Sequence, residues 1–441
     1  MKKTIIKSTF YLILMSIGAK ILSFAVRILL ARTLSADAMN LYSLAAPTMV
    51  FVITLAQMGI PAALSKVIAQ KDSAKQPIKA SVIISVCNNI IVTGCFLLMI
   101  PFLAKTILKQ NQLIDVLYAI LPLIPMVTLS GILKGYLFGK QLHLSATACQ
   151  FFEEGTRIVY LLIVFSLHPQ MDILTMAKTA MLSVTIGEIG SSLFMLFIIA
   201  KKSRRIPLPF TTLFTDLHRN AFDEVLTISI PMTGSRLIGS LTYFLEPIIM
   251  VIGLQSLQAE AMVSAYGQLN GYVLPILTMP SFITVTLSNF LLPSFTYHHT
   301  RGNHKTAGRL FLLIIATCFF IGLSCSFLCF QFSDELMQLF YHSARGADLL
   351  KQLAWPFAFY ALQPPLASML HALSYSRNTM VDTFSGSFIR LLCVGLFTGV
   401  FGTHSLALGL TIGMMITTLM HAFNVAFALQ KSSRSTQKAI S

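Results

Sequence analysis

Five basic residues, Lys20, Arg27, Arg157, Arg236 and Arg390, stand inside long apolar stretches of this 441-residue sequence. An ionisable side chain at bilayer depth costs at least about 2.5–3.5 kcal/mol, so it normally faces a partner or a wet cavity. Lys20 lies about 12 residues from either end of its stretch, about 18 Å at about 1.5 Å per residue, too far for snorkelling alone. It is either a structural cation bonded to carbonyls or a neighbouring carboxylate, or a cavity cation that meets an anionic substrate. A second basic residue at the matching point of the other half, Arg236, favours the cavity reading. Arg27 is nearer an end, where snorkelling explains it equally well.

A further constellation is Gln150, Glu153, Glu154 and Arg157, whose spacing of three and four puts them on one helix face. Glu153 is expected to reach Arg157 across one turn, and the plain reading is an internal ion pair stapling that helix to its neighbours. Glu188, between Gly187 and Gly190, and Glu246, before Pro247, are the other glutamates at membrane depth. Each could pair with an embedded cation or bind a proton, and spacing does not rank the two uses. His298, His299 and His304 sit in a polar connection where a metal site is not expected. There is no phosphate-binding glycine loop, nucleophile elbow or H-E-x-x-H, so neither enzymatic hydrolysis nor a cofactor is indicated.

The elements that must position these residues are membrane helices. The chain is 55% hydrophobic and 11% charged, with a mean hydropathy of +0.75, whereas soluble domains carry about 25% charged residues. The net charge of +16 does not argue for nucleic acid, because no stretch is long enough to build a soluble basic groove. It suits loops facing anionic lipid instead. The seven cysteines fall in apolar runs without metal-ligand spacing and read as small buried hydrophobes. Met1-Lys2-Lys3 and the apolar run after it mimic a signal peptide, but the run continues towards Leu30 and reads as a first span.

Spans of about 20 apolar residues are expected near 8–31, 39–62, 80–103, 114–137, 144–167, 175–200, 225–250, 263–295, 308–331, 352–374, 383–401 and 404–429. The stretch 263–295 is long enough to be broken or strongly tilted, and Gly59-Ile60-Pro61, Pro231, Pro247, Pro275 and Pro280 interrupt others. With the termini cytoplasmic, only Arg32, Lys105, Lys109, Lys178, Arg345 and Lys351 fall in outer connections. Apart from the five embedded cations, all other Lys and Arg, Lys66 and Lys134 among them, count to the cytoplasmic side. That bias needs an even number of spans.

The halves also resemble each other. Gly18-Ala19-Lys20-Ile21 matches Gly234-Ser235-Arg236-Leu237, and Phe151, Arg157 and Ile158 match Phe384, Arg390 and Leu391. The expected fold is all-α and polytopic: a six-helix lobe over 1–200, a cytoplasmic linker over 201–222 with a short surface helix, and a second six-helix lobe over 223–441. Two parallel repeats of this kind suit a transport site between rocking lobes.

Ala31-Arg32-Thr33-Leu34, Leu41-Tyr42, Pro47-Thr48, Gly59 to Lys66 and Gln150-x-x-Glu153-x-x-x-Arg157 resemble SpoVB-type polysaccharide biosynthesis proteins. These belong to the exporter superfamily that also holds the MurJ-like lipid II flippases and the MATE drug exporters. The resemblance implies a V-shaped pair of lobes in the bacterial cytoplasmic membrane. It implies a flippase for a lipid-linked, diphosphate-bearing saccharide, with Lys20, Arg27 and Arg236 contacting the anion and H+ or Na+ as candidate coupling ion. Many relatives have fourteen spans, and the missing pair implies that a groove for the lipid tail is absent. Two other functions stay open: a MATE-type drug/cation antiporter, and a non-transporting partner of envelope-synthesis proteins.

Overall fold

The computed structural model describes residues 2–70, 74–203, 219–252, 254, 256–301 and 303–440. The expected linker helix falls on 204–218 and lies outside the described residues. By packing, the chain divides into two compact units, Met1–Ile252 and Gly253–Ser441, and every element among the described residues is a helix.

The first unit holds α1 (Lys2–Thr33), α2 (Ala36–Gln57), α3 (Ile60–Gln70) and α4 (Lys75–Pro101). It continues with α5 (Leu113–Tyr118), α6 (Leu123–Gly139), α7 (His143–Leu167), α8 (Ile173–Ser203) and α9 (Arg219–Val251). The second unit holds α10 (Ser256–Gln268), α11 (Leu274–Thr278), α12 (Ser281–Thr300), α13 (His304–Gln331) and α14 (Ser333–Tyr341), then α15 (Ala347–Tyr360), α16 (Gln363–Ala372), α17 (Ser376–Phe401) and α18 (His404–Ile440).

All twelve expected spans coincide with helix. Eight are long and apolar enough to cross a membrane, and a ninth is the pair Gln258–Thr278 and Ser281–His299, bent by 52° at the expected break. The remaining three are α7, which carries Glu153, Glu154 and Arg157; α9, which carries Arg236 and Glu246; and α15 with α16, interrupted near residue 361. Large apolar side chains such as Leu98 (79% exposed), Phe320 (70%) and Phe423 (72%) point outwards, which only lipid tolerates on this scale. Cys87 and Cys95 belong to that outer surface instead of the interior.

Ser35 starts α2 by accepting a hydrogen bond from the Ala38 amide at 3.3 Å, the usual cap for an otherwise unmatched donor. The span then breaks at Met58 (φ 44°) and Gly59 (φ 63°). Two left-handed residues in a row end α2 and redirect the chain into α3. A Cβ on Gly59 would lie 2.7 Å from the Ser229 carbonyl of α9, so α9 approaches closely at the break. Phe51 of α2 stacks on Phe244 of α9 at 4.8 Å. Through such contacts α9 packs within the first unit, and the division by packing falls after α9 instead of at the 201–222 connection.

A core of Ile60, Leu64 and Ile68 from α3, Ile132, Leu133 and Leu137 from α6, and Met195 and Ile199 from α8 ties these helices together. The second unit has its own core around Leu291, Phe295, Phe311, Ile314, Met369 and Leu370.

A cationic cavity in the first unit

Gly131, Gly135 and Gly139 recur every fourth residue of α6, so they form one stripe along the helix. A Cβ on Gly135 would lie 2.6 Å from the Pro61 carbonyl oxygen, one on Gly131 2.9 Å from Pro61 Cγ, and one on Gly139 2.7 Å from Ile68 Cβ. The stripe therefore lets α3 and α6 meet backbone to backbone, the usual device of membrane helices, which lack a hydrophobic drive to associate. Beside this seam opens a cavity of about 750 Å³ whose lining includes Gln57, Ser65, Lys66, Lys134, His143 and Arg236. Its described lining carries three fixed cations and no carboxylate. Arg236 donates to Gln57 Oε1 at 3.4 Å, and Gln57 Nε2 donates to the Val127 carbonyl at 3.4 Å, so an amide on α2 holds the guanidinium.

Behind the cavity wall stand the carboxylate partners of Lys134. Lys134 Nζ lies 3.2 Å from Glu153 Oε2 and 3.8 Å from Glu188 Oε2. Glu188 is 6% exposed, and its Oε2 has no hydrogen-bond partner among the described residues. Arg157 pairs with Glu154 Oε2 at 3.0 Å, one turn back on its own helix, so the Glu153–Arg157 pair expected from spacing is replaced by two others. The reason is packing. A Cβ on Gly187 would sit 2.6 Å from Arg157 Cγ, and one on Gly190 2.2 Å from Thr156 Oγ1. This close seam pins the Arg157 stem on α8 and turns Glu153 towards α6. Lys134 is thereby neutralised, which leaves Lys66 and Arg236 as the cavity cations whose charge is open to a ligand.

Residues 5–299 match the family of polysaccharide biosynthesis proteins. The chain belongs to this family. It is 30% identical over 451 residues to stage V sporulation protein B of Bacillus subtilis (strain 168), covering 100% of this chain and 87% of that protein. Its fold is similar to that of a multidrug resistance MATE family transporter of the MOP superfamily in that protein's inward-facing conformation, with a TM-score of 0.72 at 15% identity over 95% of this chain and 96% of that one. The lipid II flippase MurJ in an inward closed conformation has a TM-score of 0.68 at 13% identity, over 94% and 87%. The all-α polytopic fold and the SpoVB-type resemblance expected from the sequence are both found.

In this polysaccharide biosynthesis protein the other candidate residues are dispersed. Lys20 and Arg27 are exposed on α1 and do not belong to the cavity lining. α1 lies against α7, where a Cβ on Gly18 would come within 2.6 Å of the Phe151 ring. Gln150 is exposed on α7, and Glu246 is buried at 1% on α9. Arg390 lines a separate cavity of about 250 Å³ in the second unit with Gln363, Thr383 and Thr417. Its stem repeats the Arg157 arrangement, since a Cβ on Gly413 would lie 2.7 Å from Arg390 Cβ. Sequence reasoning missed Lys66 and Lys134, which it counted as loop charges. The available signal was the position of Lys134 between two glycines of the Gly131–Gly139 stripe.

Proposed function

We propose that this protein is a flippase that moves a lipid-linked saccharide or peptidoglycan precursor, of the polyprenyl-diphosphate type, across the bacterial cytoplasmic membrane. The observation that carries the reading is the cavity of about 750 Å³ with Lys66 and Arg236 as the open cations of its wall. A diphosphate leaving water must exchange its hydration for fixed, charge-assisted donors. Arg236, held by Gln57, offers a planar fork, and Lys66 offers a mobile point charge. Membership of the polysaccharide biosynthesis family and a fold shared with a lipid II flippase support the same substrate class. Lys20 and Arg27 complete the proposed path as cations of α1 that meet the anion before or after it occupies this cavity.

Transport proceeds by alternating access of two six-helix halves, with no covalent step, and with H+ or Na+ as the coupling ion. The N- and C-termini are cytoplasmic on the strength of the charge bias of the connections. A drug/cation antiporter would want carboxylates facing the cavity, and the glutamates nearby are instead matched to Lys134 behind its wall.

The test is a deletion strain scored for accumulated lipid-linked intermediates and complemented with Arg236→Gln, Lys66→Gln or both, at matched membrane abundance. Each single change should leave roughly a tenth to a hundredth of wild-type activity, since one charge-assisted contact is worth about 1.5–3 kcal/mol. Full complementation by the double variant would defeat the anionic-substrate argument. A deletion strain that accumulates no lipid-linked intermediate would point to the non-transporting role in envelope assembly.

A further inference from the structure

The cavity of about 250 Å³ in the second unit has Arg390, Thr383, Ser387 and Thr417 in its lining and no Asp or Glu among the described lining residues. Thr383, Ser387 and Arg390 are spaced by four and three, so they share one face of α17. Arg390 stands roughly midway along that helix, about 15–20 Å from either end at about 1.5 Å per residue. Its charge therefore lies at bilayer depth, where a cation is costly and marks a functional path.

The seam that holds Arg390 repeats the seam that holds Arg157. A Cβ on Gly187 would lie 2.6 Å from Arg157 Cγ and 2.9 Å from the Glu153 carbonyl. A Cβ on Gly413 would lie 2.7 Å from Arg390 Cβ and 2.6 Å from the Gly386 carbonyl. The contacts agree with the register that matches Arg157 to Arg390, so Gly386 stands where the first half has Glu153, and Ser387 where it has Glu154. Close helix packing thus fixes both arginine stems, but the surroundings differ in charge. Arg157 is paired with Glu154 at 3.0 Å. At the matching places around Arg390 there is a hydroxyl and a missing side chain, and both residues line the cavity.

The acidic residue of α17, Asp382, is engaged elsewhere. His421 Nδ1 lies 2.8 Å from its Oδ2, and Asn424 Nδ2 donates to both carboxylate oxygens at 2.8 and 3.0 Å. The other polar groups of the lining are neutral. Gln363 Nε2 donates to the Met414 carbonyl and to Thr418 Oγ1, both at 3.1 Å, which ties α16 to α18. The Thr383 and Thr417 hydroxyls donate to carbonyls of their own helices, at 2.9 and 3.0 Å. A hydroxyl proton rotates, so either can turn from its carbonyl to an anion. Phe357, Leu410 and Met414 supply apolar wall. A fixed guanidinium among hydroxyls suits the oxygens of a phosphate, which its planar fork can take two at a time. The apolar wall and the depth suit a phosphate that arrives on a lipid carrier.

We propose that this cavity is a phosphate site of the second unit, in which Arg390 takes the phosphate or diphosphate of a lipid-borne ester and Thr383, Ser387 and Thr417 hydrogen-bond its oxygens. It rests on the transport reading only for why a phosphate comes to this depth, not for the binding.

The experiment is calorimetric titration of the purified full chain in detergent with a short-chain prenyl diphosphate, the matching prenyl alcohol and inorganic pyrophosphate. The first cavity is expected to take the same diphosphate, so the second is read in Lys66→Gln with Arg236→Gln. The prenyl diphosphate should still bind there, and adding Arg390→Gln should weaken it at least about tenfold. Ser387→Glu places a carboxylate where the first half has Glu154. It should weaken binding as much with Arg390 still present, which keeps the test open should Arg390→Gln not fold. No binding in the Lys66→Gln, Arg236→Gln protein overturns the site, and so does binding that neither added change weakens. Equal affinity for the prenyl alcohol overturns it too, since the phosphate would then contribute nothing. Equal affinity for pyrophosphate overturns the lipid carrier and assigns the site to a soluble anion. Wild-type binding that falls with Lys66→Gln and Arg236→Gln but ignores Arg390→Gln overturns this site and leaves the flippase reading intact. The opposite pattern supports this site and defeats the first cavity as the place where the anion is held.

Discussion

Lys134 of α6 and Glu153 of α7 meet at 3.2 Å, with Glu188 of α8 at 3.8 Å on the other side of the ammonium. Three helices are thus joined by one cation. Removing it leaves two carboxylates facing each other in a poorly solvated site, so Lys134→Ala should destabilise the protein by about 3 kcal/mol. Lys134→Met combined with Glu153→Gln and Glu188→Gln should recover most of that loss, because no unpaired charge remains. Thermal unfolding of the purified variants in detergent measures both. Equal loss in the single and triple variants would show that packing, not charge balance, dominates.

The glycine stripe of α6 gives a sharper stability test. Gly135→Ala puts a methyl 2.6 Å from the Pro61 carbonyl, and backbone on both sides cannot yield cheaply. A loss of about 1–3 kcal/mol is expected, in the range of core overpacking. Gly94→Ala on α4 meets nothing within 4 Å and should instead stabilise by about 0.5–1 kcal/mol through helix propensity. If Gly135→Ala is as stable as wild type, the close α3–α6 seam is not required.

Arg236 is exposed and lines the cavity, so Arg236→Cys should react with a small water-soluble thiol reagent in intact membranes, measured on a background lacking the seven native cysteines. A polyprenyl-diphosphate saccharide should protect it. Lys20→Cys and Arg27→Cys probe α1 in the same way. Labelling would place them on a wet path, and labelling only after denaturation would assign them to lipid or to helix packing.

The charge bias of the connections sets the orientation. Reporter fusions at Lys202, His304 and Lys431 should read cytoplasmic, and fusions at Lys109 and Arg345 external. An external reading at Lys431 would require an odd number of spans and remove the two-half arrangement on which alternating access rests.

The helical, membrane-spanning character of the chain was legible because it is a property of local composition. A run of about 20 apolar residues has few ways to satisfy its backbone in lipid other than as a helix. The break in 263–295 and the interruption at Gly59-Ile60-Pro61 were legible for the same reason, whereas α9 runs unbroken through Pro231 and Pro247, which were also expected to interrupt it. The Arg157 partner was not. Spacing of three and of four residues are both allowed on a helix, and only the α7–α8 seam chose Glu154 for Arg157 and Lys134 for Glu153.

The site itself was decided by which helices meet. Lys66 and Lys134 look like loop charges when counted along the chain, because each stands near a predicted span end. Packing of α3 against the glycine stripe of α6 turns both into the cavity, and packing of α9 within the same unit adds Arg236. Asp382 and His421 are 39 residues apart and share no motif, so nothing in their spacing announces them as a pair. By itself the sequence determined the kind of elements and the excess of positive charge. Which charges face a cavity, which neutralise one another and which are buried together depends on contacts between distant segments, and those exist only once the helices have packed.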